Sequence, residues 1–184
     1  ADHAPFDLEL RDQRLPLRDR QPRDLGRRLL QHAEHHHTQN HGREAFDRAK
    51  AALAAWKHFE FNWVEVQPQE PSISPGTVVA VLIRHYGFWS LNGCRVVYGL
   101  GDRSLGPAFG FAYGTLANHA ERGEEIFEVS HRSDTDEVVY RIRAASQPRA
   151  VLARAGYPLV RRLQARFRRD SGDAMLRAVA HRAP

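Results

Sequence analysis

A chain of 184 residues, 42% apolar and 27% charged, has the size and composition of one globular domain that buries a core without a staple. Its single cysteine, Cys94, excludes an internal disulfide, and no stretch reaches the ~20 apolar residues of a membrane span. The net charge of +5 is concentrated in residues 150–184, where eight arginines face two aspartates, so a basic surface is confined to the C-terminal end.

The opening residues, ADHAPFDLELRDQRL, are charged and lack the apolar run of a signal peptide, which with one free thiol makes a cytoplasmic home the expectation. Residues 1–40 read as a polar N-terminal arm, interrupted by Pro5, Pro16 and Pro22, and 41–184 as a single domain. Residues 42–58 predict a helix: Phe46, Ala49, Leu53 and Trp56 recur at three- and four-residue spacing and make one apolar stripe.

From 60 to 147 the period changes. Strands are predicted at 61–66, 77–86, 93–100, 109–116, 124–131 and 137–146, separated by turn signals rich in Gly, Pro, Asn and Asp. Loops this short join neighbours antiparallel, and with no helix between the strands a parallel sheet does not fit. In 109–116, Phe109, Phe111, Tyr113 and Thr115 share one face while Gly110, Ala112 and Gly114 share the other. Rings backed by bare backbone suit a curved sheet with close packing behind it. After a break at Pro158, a long helix to about 178 sets Val160, Leu163, Phe167, Ala174 and Ala178 on one face and Arg161, Arg162, Arg168 and Arg169 mainly on the other. The class is α+β: a curved antiparallel sheet packed on a long C-terminal helix, with the space between them either filled or held open for a ligand.

Five segments carry a resemblance: HGREAFDRAKAALAAWKHFEFNWVEV (41–66), PGTVVAV (75–81), GFWSLNGCRVVY (87–98), FGFAYGTLANHAERGEEIFEV (109–129) and YPLVRRLQARFRRDSGDAM (157–175). In this order they resemble the uncharacterised family catalogued as domain of unknown function nineteen-ninety. That family usually has Pro-Gly where this chain has Ala117-Asn118. The strand order and the terminal helix also look helix-grip-like, the architecture of START lipid carriers, birch-pollen-allergen-like proteins and polyketide cyclases. That second resemblance implies a cavity between sheet and helix but no reaction.

Four constellations offer chemistry. His32, His35, His36, His37 and His41 crowd one segment. On a helix His32 and His36, or His37 and His41, would share a face, but without a thiolate pair and with Glu34 the only nearby carboxylate no metal is expected. In HAERGEE, His119, Glu121, Arg122, Glu124 and Glu125 make either an acid–base set or a charged turn; Glu125 alternates with Phe127 and Val129, while Arg141 and Arg143 are placed to pair with Glu124, Glu125 or Glu128 across the ladder. Trp89, Asn92 and Cys94 surround a turn, with Trp89 a candidate pocket rim and Cys94 read as a buried thiol. GLGDRSLG at 99–106 lies between strands and reads as a hairpin loop, not a phosphate loop.

The expected function is therefore binding of a small apolar or amphipathic molecule, lipid-, isoprenoid- or polyketide-like, with no cofactor. The expected pocket lining is Tyr98, Phe111, Tyr113, Phe127 and Tyr140, with Trp89 near the opening and Glu125 with Arg143 as polar contacts at one end. The alternatives are a cyclase- or hydrolase-like enzyme in the same cavity, or a polyanion or anionic-membrane binder using the arginine-rich helix. Nucleic acid fits poorly, because the aromatics lie on the strands and the arginines on the helix. The plainest alternative is that the rings simply fill the core.

Overall fold

The computed structural model describes residues 31–101, 106–116, 121–148 and 157–180. Seven strands form one antiparallel sheet: β1 (Gln31–His41), β2 (Val64–Gln67), β3 (Val78–His85), β4 (Phe88–Leu100), β5 (Ala108–Thr115), β6 (Glu121–His131) and β7 (Glu137–Pro148), in the spatial order β1-β7-β6-β5-β4-β3-β2. The helices are α1 (Arg43–Ala54), followed by a 3-10 turn at Lys57–Phe59, and α2 (Tyr157–Ala180). This is the helix-grip arrangement expected of an α+β chain with a C-terminal helix.

The six predicted strands are all present, but β4 begins at Phe88, so Trp89, Asn92 and Cys94 lie within it and the turn expected at Asn92-Gly93 is replaced by ladder pairing with Val81 and Ala80; one strand was not expected. Residues 31–41, read as part of a polar arm, form β1 and pair with β7 from Gln31 opposite Ser146 to His41 opposite Glu137. A polar strand at a sheet edge leaves no apolar alternation to detect; its stabilisation comes from the ladder with β7. The same finding removes the helical spacing considered for the histidines, since His32, His35, His36, His37 and His41 all lie in a strand.

The first helix also ends earlier than its stripe suggests. Trp56 adopts a left-handed backbone, φ 57°, which breaks the helical path after Ala54. Its indole Nε1 donates to the Pro71 carbonyl at 2.7 Å, fixing the break in place. The chain then turns through His58 and Phe59, both buried. At the other end of α1, Gly42 takes φ 88° and its N–H bonds the Asp136 carbonyl at 2.9 Å, clamping the helix to the β6–β7 turn.

One face of the sheet carries Val79, Val81, Cys94, Val96, Phe111, Phe127, Val129, Val138, Tyr140 and Ile142 into a core with Phe46, Leu53, Trp56, Phe59, Trp63, Met175 and Val179. On the opposite face β5 shows bare backbone for a steric reason. A Cβ on Gly110 would stand 2.2 Å from the Phe127 carbonyl oxygen. Beside it, Glu128 is fully buried, with Arg141 Nη1 and Arg143 Nη2 each 3.2 Å from its carboxylate.

α2 packs on α1, the 3-10 turn, β1 and β7. Its C-terminal half is the tighter, with Ser171, Ala174, Met175 and Val179 buried, whereas Leu163 and Phe167 toward its start are only half-buried against the core. Arg162 is exposed, as expected, whereas Arg168, expected on the solvated face, is half-buried. Trp63 ties the middle of the helix down: its Nε1 donates to Asp170 at 2.8 Å, and the Arg166 guanidinium lies 4.4 Å above its ring.

Candidate functional site

The site begins with the ladder register, because residues opposite each other on antiparallel strands share a face. Phe111 stands opposite Phe127, and Phe127 opposite Ile142; Tyr113 stands opposite Glu125, and Val129 opposite Tyr140. This register gathers Phe111, Tyr113, Glu125, Phe127 and Tyr140 on the inner face, beneath the helices.

His58 joins them from the 3-10 turn. Its ring lies 4.5 Å from that of Phe127, 4.6 Å from Phe59, 5.6 Å from Trp56, 5.8 Å from Phe111 and 6.2 Å from Tyr140. The side chain has no exposed surface, and neither ring nitrogen has a hydrogen-bond partner among the described residues. Burial pushes its pKa down to about 3, so the imidazole is neutral at physiological pH and carries one donor and one acceptor.

Two tyrosine hydroxyls beside these rings are partnered. Tyr140 Oη and Ser171 Oγ are 2.9 Å apart, linking β7 to α2. Tyr113 Oη donates to Glu125 at 2.7 Å. Burial, then the Glu125 charge, raises the Tyr113 hydroxyl well above the usual phenol range. The same two causes push the Cys94 thiol up to about 12, so Cys94 is an inert buried thiol, as its sequence context suggested. Glu125 is only half-buried, so the inner-face cluster approaches solvent at the Tyr113–Glu125 end.

Three of the predicted lining rings are closed off. Phe111, Phe127 and Tyr140 have no exposed surface and pack on Trp56, His58 and Phe59, so in this conformation they make a floor of packed rings. Phe167 packs on this cluster from α2, with its ring 5.2 Å from Phe59, 5.8 Å from Phe61 and 6.4 Å from Phe127.

The remaining predicted residues lie elsewhere. Arg143 stands opposite Ile126, one residue out of step with Glu125 opposite Ala144, so the expected Glu125–Arg143 contact is not made and the two project from opposite faces. A single-residue offset suffices, because strand side chains alternate. Arg143 pairs with Glu128, as does Arg141, and Glu128 is one of the three partners their placement offered. Tyr98 stands opposite Ala112 on the outer face, where its hydroxyl donates to Glu124. Trp89 is at the tip of the β3–β4 hairpin, half exposed and opposite Arg84. His119 lies outside the described residues.

Two clefts border the interior. One, of about 380 Å³, runs beside Trp56, Phe59, Phe61, Val64 and Pro71. The other, of about 330 Å³, lies between the β3–β4 hairpin and α2. His58, the central polar group, gave no signal in the sequence: it ends a helical stripe as a solvent-facing residue would.

A model of the family described as "Domain of unknown function (DUF1990)" matches residues 21–174. A UPF0548 protein of Dictyostelium discoideum is 39% identical over 146 residues, covering 75% of this chain and 68% of its own length. One from Arabidopsis thaliana is 36% identical over 141 residues, with the same coverage of 75% and 68%. Among solved structures, the Zhui aromatase/cyclase from Streptomyces sp. R1128 has a TM-score of 0.54 at 15% identity, over 82% of this chain and 94% of that one. Norcoclaurine synthase from Thalictrum flavum, in complex with dopamine and hydroxybenzaldehyde, has a TM-score of 0.53 at 14% identity, over 94% and 100%. At these identities the structural likeness establishes the helix-grip fold alone.

Proposed function

The chain belongs to the family described as Domain of unknown function (DUF1990), and from its interior we propose that it binds a small, largely apolar molecule that carries a hydrogen-bonding group. The observation that supports this reading is His58. A neutral imidazole enclosed by five aromatic rings, with neither nitrogen partnered among the described residues, is costly: each unsatisfied buried group costs about 1–3 kcal/mol. A guest that both accepts from and donates to the imidazole would offset that cost, while its apolar body meets the rings.

Room for the guest comes from the less tightly packed side. Leu163, Phe167 and Phe61 are half-buried, so the start of α2 can move off the sheet while Met175 and Val179 hold its far end. Tyr113 and Glu125 mark the end at which the guest enters.

A second reading, a cyclase-like enzyme, has one observation in its favour. The Tyr113 hydroxyl and Glu125 carboxylate form a donor–acceptor pair at the part-open end, and a substrate hydroxyl that intercepts their 2.7 Å bond would meet both a proton donor and a proton acceptor.

Native mass spectrometry of freshly purified protein, followed by titration with a fluorescent apolar probe, tests the binding reading. A retained mass, or saturable probe uptake that His58→Leu weakens about tenfold or more, supports it. Protein that arrives empty and takes up no probe overturns it. Conversion of the retained molecule on incubation, abolished by Glu125→Gln, would favour the enzyme.

A further inference from the structure

The β3–β4 hairpin shows an unusual surface. Tyr86, Phe88 and Leu91 are 73%, 72% and 71% exposed, and Trp89 is 51% exposed. Isolated exposed apolar residues are ordinary, but four large ones at the end of one hairpin are not. The turn itself is chemically odd. Tyr86 at φ 49° and Gly87 at φ 81° are its two central residues, a pair of left-handed positions that Asn, Asp and Gly ordinarily fill. An aromatic residue thus occupies a strained, exposed position at the tip of the hairpin.

Cations surround this tip. Arg84 stands opposite Trp89 across the ladder. Arg84 and Arg166 both line the 330 Å³ cleft behind the turn, together with Asn62, Trp63, His85 and Tyr86, and no carboxylate is among its described lining residues. Asp170 lies nearby but is engaged with Trp63 Nε1 and Arg166 Nε. The nearest acid on the neighbouring strand is Glu65, opposite Leu82.

We infer that the β3–β4 hairpin docks the protein on an anionic lipid surface, with Tyr86, Phe88, Trp89 and Leu91 entering the interface and Arg84 and Arg166 meeting the headgroup phosphates. Tryptophan and tyrosine beside arginine is the composition that a membrane–water interface selects. A second copy of the chain is the poorer occupant: a two-fold contact through this tip would bring each arginine pair toward its own duplicate. The inference stands apart from what the interior binds, and it centres the membrane contact on the hairpin, with Arg166 the one residue contributed by α2.

The intact protein reports on its own docking. Trp56 and Trp63 are each only 4% exposed, so an environmental shift in tryptophan emission comes from Trp89. The protein is mixed with vesicles of phosphatidylcholine alone or of phosphatidylcholine with phosphatidylserine, and sedimented. Co-sedimentation with the anionic vesicles, weakened by salt and accompanied by a blue shift that Trp89→Phe removes, is the expected result. Removing one arginine, by Arg84→Gln or Arg166→Gln, weakens partitioning about fivefold, the equivalent of about 1 kcal/mol. The double variant Phe88→Ala, Trp89→Ala weakens it at least about tenfold. Arg177→Gln, exposed at the far end of α2, leaves it unchanged. Equal loss with Arg177→Gln would show that net charge alone drives binding and would overturn the site. So would the absence of anionic-vesicle binding at low salt, or a Trp89-dependent dimer in sedimentation velocity without vesicle binding. Thermal melts of each variant confirm that the fold persists.

Discussion

Replacing His58 with leucine, close to it in volume, should stabilise the protein and weaken ligand binding at once. Two orphaned ring nitrogens at about 1–3 kcal/mol each are removed. Against this stand the lost ring contacts, of which the nearest are to Phe127 at 4.5 Å and Phe59 at 4.6 Å, worth about 0.5–1.5 kcal/mol per pair. A branched chain fitted into a space shaped for a flat ring costs up to about 1.5 kcal/mol more. The net expectation near pH 7 is a gain of about 1–2 kcal/mol. Acid makes the difference larger. The folded pKa is lowered to about 3 from 6.5, so below 6.5 the unfolded chain takes up a proton that the folded chain refuses, and stability falls with pH until about 3. At about pH 5 this linkage removes about 2 kcal/mol from the natural protein and nothing from the leucine variant. Urea melts of both proteins from neutral pH to about pH 5 read the result directly. Parallel pH profiles would show that His58 is not held neutral in the core. A leucine variant less stable at neutral pH would show that the ring nitrogens are satisfied in solution.

Three further perturbations test the frame around the buried rings. Gly110→Ala should destabilise by more than about 3 kcal/mol in urea melts, because its Cβ meets backbone 2.2 Å away that no rotamer change can move; a neutral outcome would refute the close β5–β6 approach. Glu128→Ala should cost about 1.5–3 kcal/mol by removing the charge-assisted bonds to the half-buried Arg141 and Arg143, whereas an exposed ion pair would lose under about 1 kcal/mol. Along α2, Met175→Ala should cost about 2–5 kcal/mol, Phe167→Ala less than a fully buried ring, and Arg162→Ala within about 0.5 kcal/mol of zero; equal sensitivity at Met175 and Phe167 in thermal melts would argue against a loosely held helix start.

Alternation in residues 77–146 determined the antiparallel sheet, because a half-buried strand must place its apolar residues at every second position whatever it packs against. The stripe through Phe46, Ala49 and Leu53 determined α1, and the long basic stretch after Pro158 determined α2, for the equivalent helical reason. Alternation also put Phe111 and Tyr113 on one face, and Glu125 with Phe127. What it left open was which face is covered, since period two is symmetric between the two sides of a sheet. Strand register settled this, and it sent Tyr98 and Arg143 outward and Glu125 inward. β1 was illegible for a related reason: an edge strand of histidine, asparagine and glutamine is specified by the backbone ladder of β7, not by its own pattern. His58 depended most on tertiary structure. Its neighbours in sequence spell a continuing helix; only the left-handed turn at Trp56, held by a hydrogen bond to Pro71, reverses the chain and drives the imidazole among rings contributed by strands more than fifty residues away. A contact between residues so distant in sequence arises from the packing of elements, and no local period encodes it.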